Sequence, residues 1–210
     1  MKAALSAVLA LLIYFPVQAG LHDEFLALKD SGKDYRVIGT VCEEVARLQL
    51  AKIYRAPAYT VVTGIAYGNQ DRTIGELDVI VFENRTGEAI KVAEVKCWRN
   101  MSAGLHKALD QRNRFLRTIK SPQRLFFRST TTNEYFDQSQ FDSIEEFFSI
   151  AQRGATRYGY DHELQYSLEE LMTLRSMLIA CQDRGECARR MFYEYYEYSE
   201  VEYEYYATNF

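Results

Sequence analysis

The sequence predicts an α/β domain, a mixed β-sheet with helices on both faces. Apolar residues recur at helical spacing over Tyr35 to Tyr54, at Val37, Ile38, Val41, Val45 and Leu48. They do so again over Ser102 to Lys120, at Leu105, Ala108, Leu109, Phe115, Leu116 and Ile119. Between these helices, the runs Ala58 to Tyr67, Gly75 to Phe82 and Ala89 to Trp98 alternate and are rich in β-branched and aromatic residues, as strands are. Arg124 to Ser129 reads as a fourth, buried strand.

The elements follow in order. Met1 to Gly20 opens with Lys2, continues with an apolar run and ends in Val17-Gln18-Ala19. That is the pattern of a signal peptide cut after Ala19, and it predicts a secreted or periplasmic protein with no membrane contact after cleavage. Residues 20–135 read as the core, 136–190 as a helical C-terminal extension of the same domain, and 191–210 as a tail. Leu21 to Lys29 is a short helix, and Pro57 ends the helix that follows. Ser102 is the expected cap of the basic helix, which Ser121-Pro122 stops. In the extension, Phe141 to Gln152 and Leu168 to Cys181 read as helices. The tail is nearly all Tyr and Glu, suiting neither a core helix nor a nucleic-acid-binding arm. It could compete with a polyanion for the basic helix, or be an edge strand or a plain tail.

Four cysteines in an exported chain permit two disulfides. Cys181 and Cys187 would close a loop around Gly185, leaving Cys42 for Cys97 by elimination, although Cys97 points away from the face that carries Asp78. Zinc ligation is the weaker alternative, because there is no CxxC pair and His22, His106 and His162 are scattered.

The central hairpin carries the chemistry. Asn84-Arg85-Thr86-Gly87-Glu88 suits a three-residue loop with Gly87 left-handed as a G1 bulge. That loop pairs Asn84 with Glu88 and sets Asp78 opposite Glu94 and Glu76 opposite Lys96. Alternation then puts Asp78, Ile80, Val92, Glu94 and Lys96 on one face, and Leu77, Val79, Val81, Ala93, Val95 and Cys97 on the other. Facing carboxylates repel unless a cation lies between them or one is protonated. Carboxylates with a neighbouring lysine suit a hard divalent ion and phosphate chemistry. The plain alternative is an exposed ion-pair cluster. From Arg99 to Arg128, eight basic residues accompany one acid, Asp110, in a chain of net charge −4. A cationic helix beside the hairpin suits a polyanion.

An acid on the first helix, Asp78 on one strand and Glu94-Val95-Lys96 on the next together resemble the PD-(D/E)XK nuclease superfamily. Gly75-Glu76-Leu77-Asp78-Val79-Ile80-Val81 and Val92-Ala93-Glu94-Val95-Lys96 look most like its restriction-endonuclease-like and resolvase-like branches. Leu77 stands where the family pattern has Pro. The resemblance covers about Val37 to Ser129 and implies a restriction-endonuclease-like core with an additional helical C-terminal region. It implies Mg²⁺ or Mn²⁺ held by Asp78, Glu94 and the Val95 carbonyl, with Lys96 orienting or deprotonating the attacking water. Glu44, or Glu43, would hold a metal-bound water or a second ion, the apolar stripe favouring Glu44. Gln111 and Lys107 would touch the attacking water or the substrate, with Arg114 and Arg99 as further substrate contacts. The expected partner is nucleic acid, DNA ahead of RNA, with a homodimer possible. The alternative is a non-catalytic nucleic-acid- or protein-binding module on the same fold.

Overall fold

The structure, a computed structural model, describes residues 20–70 and 72–189. The expected leader and the Tyr/Glu tail lie outside them. Helical residues 20–28, here α1, lead into α2 (Thr40–Ile53). The chain continues through β1 (Tyr59–Gly68), β2 (Thr73–Glu83), β3 (Glu88–Val95), α3 (Met101–Ile119), β4 (Phe126–Ser129) and β5 (Tyr135–Phe136). It closes with β6 (Glu146–Ala151), β7 (His162–Glu163) and α4 (Leu168–Asp183). The strands form one seven-stranded sheet in the order β5-β4-β1-β2-β3-β6-β7. Pairing is antiparallel from β5 to β3 and parallel from β3 through β6 to β7. The fold is therefore α/β, a mixed sheet flanked by helices.

Each face has its own core. Val41, Val45 and Leu50 of α2 pack with Leu171, Leu174 and Leu178 of α4 on Val79, Ala93, Val95 and Ile150. Phe115 of α3 packs with Tyr67, Ile80, Val92, Phe127 and Phe141 on the other face. Burying these apolar side chains supplies about 1.5–3 kcal/mol for each large one.

Several expectations need correction. Phe141 to Gln152 is not a helix: Gln138–Phe141 is one 3₁₀ turn, and Glu146–Ala151 is β6. β3 would otherwise leave a buried edge of unpaired backbone groups, and parallel pairing of 146–150 with 91–95 satisfies it. The C-terminal extension thus adds strands as well as α4. Helix α2 starts at Thr40 rather than Tyr35, leaving Val37 and Ile38 outside the core. Asn100, not Ser102, caps α3, its side chain accepting from Ala103 N.

In the hairpin, Glu83 pairs with Glu88 around a four-residue loop, and Gly87 is left-handed at φ 74°. The extra residue is taken up between the Phe82↔Ala89 and Val81↔Lys91 pairs. Beyond that bulge the anticipated register holds, with Val81↔Lys91, Ile80↔Val92 and Val79↔Ala93. The paired ladder ends there, one residue short of Asp78 and Glu94.

Alternation breaks at the same level. Val61 packs on the α2 side and Thr63 bonds there to Glu44, yet Ile65 packs on the α3 side. Gly64, with φ 70°, stands between them. Across the ladder Leu77 also lies on the α3 side, with Ile80, instead of sharing the face of Val79. A left-handed residue is what lets a strand turn its side chains over in one step.

Candidate functional site

Ladder pairing of β2 with β3 stops at Val79↔Ala93, and the acids gather where the strands part. Asp78 Oδ2 accepts from Val95 N at 2.8 Å and from Lys96 Nζ at 2.6 Å. Lys96 Nζ also donates to Glu94 Oε2 at 3.1 Å. Both acids are buried, Glu94 being only 1 % exposed, and Glu94 Oε1 has no hydrogen-bond partner. Burial, then the charge of Asp78, pushes the Glu94 pKa up to about 8 despite Lys96. Burial alone would lower the Lys96 pKa, but Asp78 and Glu94 outweigh it and hold the ammonium above its usual value.

The two helix acids divide. Glu44 is saturated: Thr63 Oγ1 donates to it at 2.6 Å, Arg47 Nε at 2.8 Å, and Lys33 Nζ lies 3.7 Å away. Glu43 is the one whose carboxyl feels Asp78, Glu76, Lys96 and Lys33. Burial first, then Asp78 and Glu76, pushes its pKa up to about 8. Of the two, Glu43 lines the cleft with Glu76, while Glu44, which the apolar stripe favours, is bonded to Thr63 and Arg47. Three positions after buried Val41, Glu44 meets the sheet at Thr63.

Two contributors were not anticipated. Glu76 joins the acids, accepts from Thr130 Oγ1 at 3.1 Å, and is raised by burial and by Asp78. Its place opposite Lys96 in the hairpin register was the available signal. Lys33, between Glu43 and Glu44, gave no signal, because it reaches the site from the loop after α1. Glu43, Glu76, Lys33 and Thr130 line one cleft of about 370 Å³.

From the other face, α3 approaches through Gln111 and Arg114. Arg114 Nη1 reaches the Ile74 carbonyl of β2 at 3.5 Å, and Tyr67 feels the charges of both Arg114 and Glu94. Burial, offset by Arg114, pushes the Tyr67 hydroxyl up to about 12. Gln111 Oε1 is buried without a partner. Lys107 is exposed on α3, and Arg99 is turned toward α4, lining a hollow with Leu168, Glu169 and Met172. Arg99 is not brought to the acids.

Cys42 and Cys97 form a disulfide, as do Cys181 and Cys187. The first lies on the α2 face of the sheet, which is why Cys97 points away from Asp78 and still finds its partner. It joins the residue before Glu43 to the residue after Lys96.

Among the described residues no three carboxylate, His or Cys side chains are grouped to hold an ion. Asp78 and Glu94 instead converge on Lys96. Two hard carboxylates, one with an unpartnered buried oxygen, still suit Mg²⁺ or Mn²⁺, which keep several waters and need few protein ligands. Among the described residues no helix is long and apolar enough to cross a membrane. Compared with protein-family models, curated proteins and solved structures, the chain matches none.

Proposed function

We propose that this protein is an exported, divalent-metal-dependent nuclease that hydrolyses phosphodiester bonds, with DNA as the first substrate to test, on a restriction-endonuclease-like core. One observation carries the reading: Asp78 and Glu94 meet on Lys96 where β2 and β3 part, with Glu43 of the preceding helix beside them. The order α2, three strands, α3 and β4, with Gln111 and a run of basic residues on α3, supports the same reading. Two disulfides suit an oxidising compartment.

Asp78, Glu94 and the Val95 carbonyl would hold Mg²⁺ or Mn²⁺, which polarises a phosphate oxygen and lowers the pKa of a bound water. Lys96 sets positive charge beside the acids, orients the attacking water and offsets charge growing on the phosphate oxygens. Glu43, with a pKa near 8, exchanges a proton near neutral pH and suits taking one from that water. Gln111 holds the water or a phosphate oxygen through its amide. Arg114 and Lys107 pair with neighbouring phosphates.

The test is degradation of plasmid and oligonucleotide DNA, and of RNA, with Mg²⁺ or Mn²⁺, with and without EDTA. Wild type should cut only with metal, and Lys96→Ala should lose at least about 100-fold. No cleavage of DNA or RNA by wild type would sink the enzyme reading; undiminished cleavage in EDTA would remove the metal. The second reading, a non-catalytic binding module, is favoured by one observation: the Lys96 ammonium already bridges both acids. It expects nucleic acid or protein to be bound without turnover.

A further inference from the structure

We infer that Val37 and Ile38 form an apolar lip that receives a nucleobase of the strand being cut, so that the substrate is single-stranded or locally unpaired. This rests on the nuclease reading above. The two side chains are 59 % and 83 % exposed, although the sequence around them looks amphipathic and helical. Val37 and Ile38 are adjacent, so their exposed side chains form one apolar patch rather than scattered surface residues.

The exposure is not that of a loose loop. Tyr35, on the N-terminal side of the pair, is fully buried, and its hydroxyl donates to Leu28 O at 3.1 Å. Asp34 accepts from Arg36 N at 3.0 Å and from Arg189 Nη2 at 3.1 Å. Arg36 pairs with Asp183 of α4, and its carbonyl accepts from Arg175 Nη2 at 2.7 Å. On the C-terminal side, α2 begins at Thr40. The flanks are tied down, Arg36 through its bonds to α4, and Val37 and Ile38 are presented to solvent.

Their position names the occupant. Val37 and Ile38 line the same cleft as Lys33, Glu43 and Glu76, so apolar and charged side chains share one hollow. A nucleic acid strand alternates an anionic phosphate with a flat apolar base. If the phosphate sits at the acids, an adjacent base reaches the lip. Aliphatic side chains engage bases in this way, wedged between steps or stacked on an extruded base. A base held in a duplex stack has no free face to offer, which is why the lip selects an unpaired strand.

The experiment uses the full oxidised chain, wild type and Val37→Ser/Ile38→Ser. The probes are a single-stranded deoxyoligonucleotide and an abasic strand of equal length. Binding is read by fluorescence anisotropy in Ca²⁺, and cleavage in Mg²⁺. Wild type should prefer the base-bearing strand by about tenfold, and the double variant should treat the two strands alike. Ile38→Ser alone, at the more exposed position, should give part of the same loss should the double variant melt early. A preference that survives in the variants, or is missing from wild type, overturns the lip. An unchanged preference with a shift from dimer to monomer reassigns the face to a second copy of the chain. If wild type cuts plasmid DNA or RNA but neither binds nor cuts these strands, the lip alone is overturned; no cleavage of plasmid, oligonucleotide or RNA overturns the nuclease reading, and the lip with it.

Discussion

Val95 donates its backbone N–H to Asp78 Oδ2 at 2.8 Å, so a carboxylate completes the ladder where the β2 backbone has turned away from β3. The same oxygen takes the Lys96 ammonium. Asp78 therefore holds the end of β3 and sets the charge beside Glu94 at once. Asp78→Asn keeps an acceptor for Val95 and loses the charge. It should fold with a melting temperature near wild type and lose at least about 100-fold in metal-dependent cleavage. Asp78→Ala should also lose stability, because Val95 N would be left buried without a partner.

Glu43 and Glu44 should separate by assay. Glu43→Gln is expected to lose about 100-fold in activity while its thermal stability at pH 8 holds or rises, because a repelled, buried carboxylate is removed. Glu44→Gln should cost about 1–3 kcal/mol of stability, since Arg47, Lys33 and Thr63 lose their common partner. Paired melting and cleavage measurements decide this; the opposite pattern would return Glu44 to the site.

The metal-free protein should weaken as pH rises. The Glu43 and Glu94 pKa values are pushed from the ordinary 4.5 up to about 8. Between those values the folded state binds more protons than the unfolded chain, so stability is full below about 4.5 and is lost through about 8. The melting-temperature difference between wild type and Glu43→Gln in EDTA should therefore shift in favour of the variant from pH 5 to pH 8. A pH-independent difference would contradict the burial of Glu43 beside Asp78.

Cys42→Ser/Cys97→Ser should cost about 2–4 kcal/mol, the loop closed by the bridge spanning 55 positions. Its two ends flank Glu43 and Lys96 in sequence, so activity at a temperature where the variant is still folded should also fall, by about tenfold or more. Cys181→Ser/Cys187→Ser closes a separation of only 6 and lies at the end of α4; it should leave the folded protein's turnover unchanged. Equal turnover losses in the two variants would mean the first bridge has no special bearing on the site.

Gly64→Ala is expected to be severe for a single methyl. The added Cβ would stand 2.3 Å from Thr130 Oγ1 and 3.0 Å from Glu76 Oε1, at a φ of 70°. A loss of about 1–3 kcal/mol should show as a lowered urea midpoint. Activity should fall further than stability, because Gly64 is where β1 turns its side chains over beside Asp78.

The hairpin was legible from residue order because two local rules agree there: alternation marks the strands, and Gly87 marks a turn. The turn itself is one residue longer than expected, and a bulge nearer β3 restores the same register as far as Val79↔Ala93, next to Asp78 and Glu94. Local periodicity also located α2, α3, α4 and β4. It could not tell β6 from a helix, since Phe147, Phe148 and Ile150 suit either, and the open edge of β3 decided the matter. Nor could it choose between Glu43 and Glu44, which are adjacent on one helix. Their environments depend on how α2 is rotated against the sheet, held by the Cys42–Cys97 bridge and by Thr63. Lys33 and Thr130 reach the cleft from distant loops, and Val37 and Ile38 lie outside the core because α2 starts late. Residue order thus specifies what short-range backbone chemistry controls, the hairpin strands and the register that brings them to the acids. Packing between distant segments selects which of those acids shares a charge environment with Asp78 and Lys96.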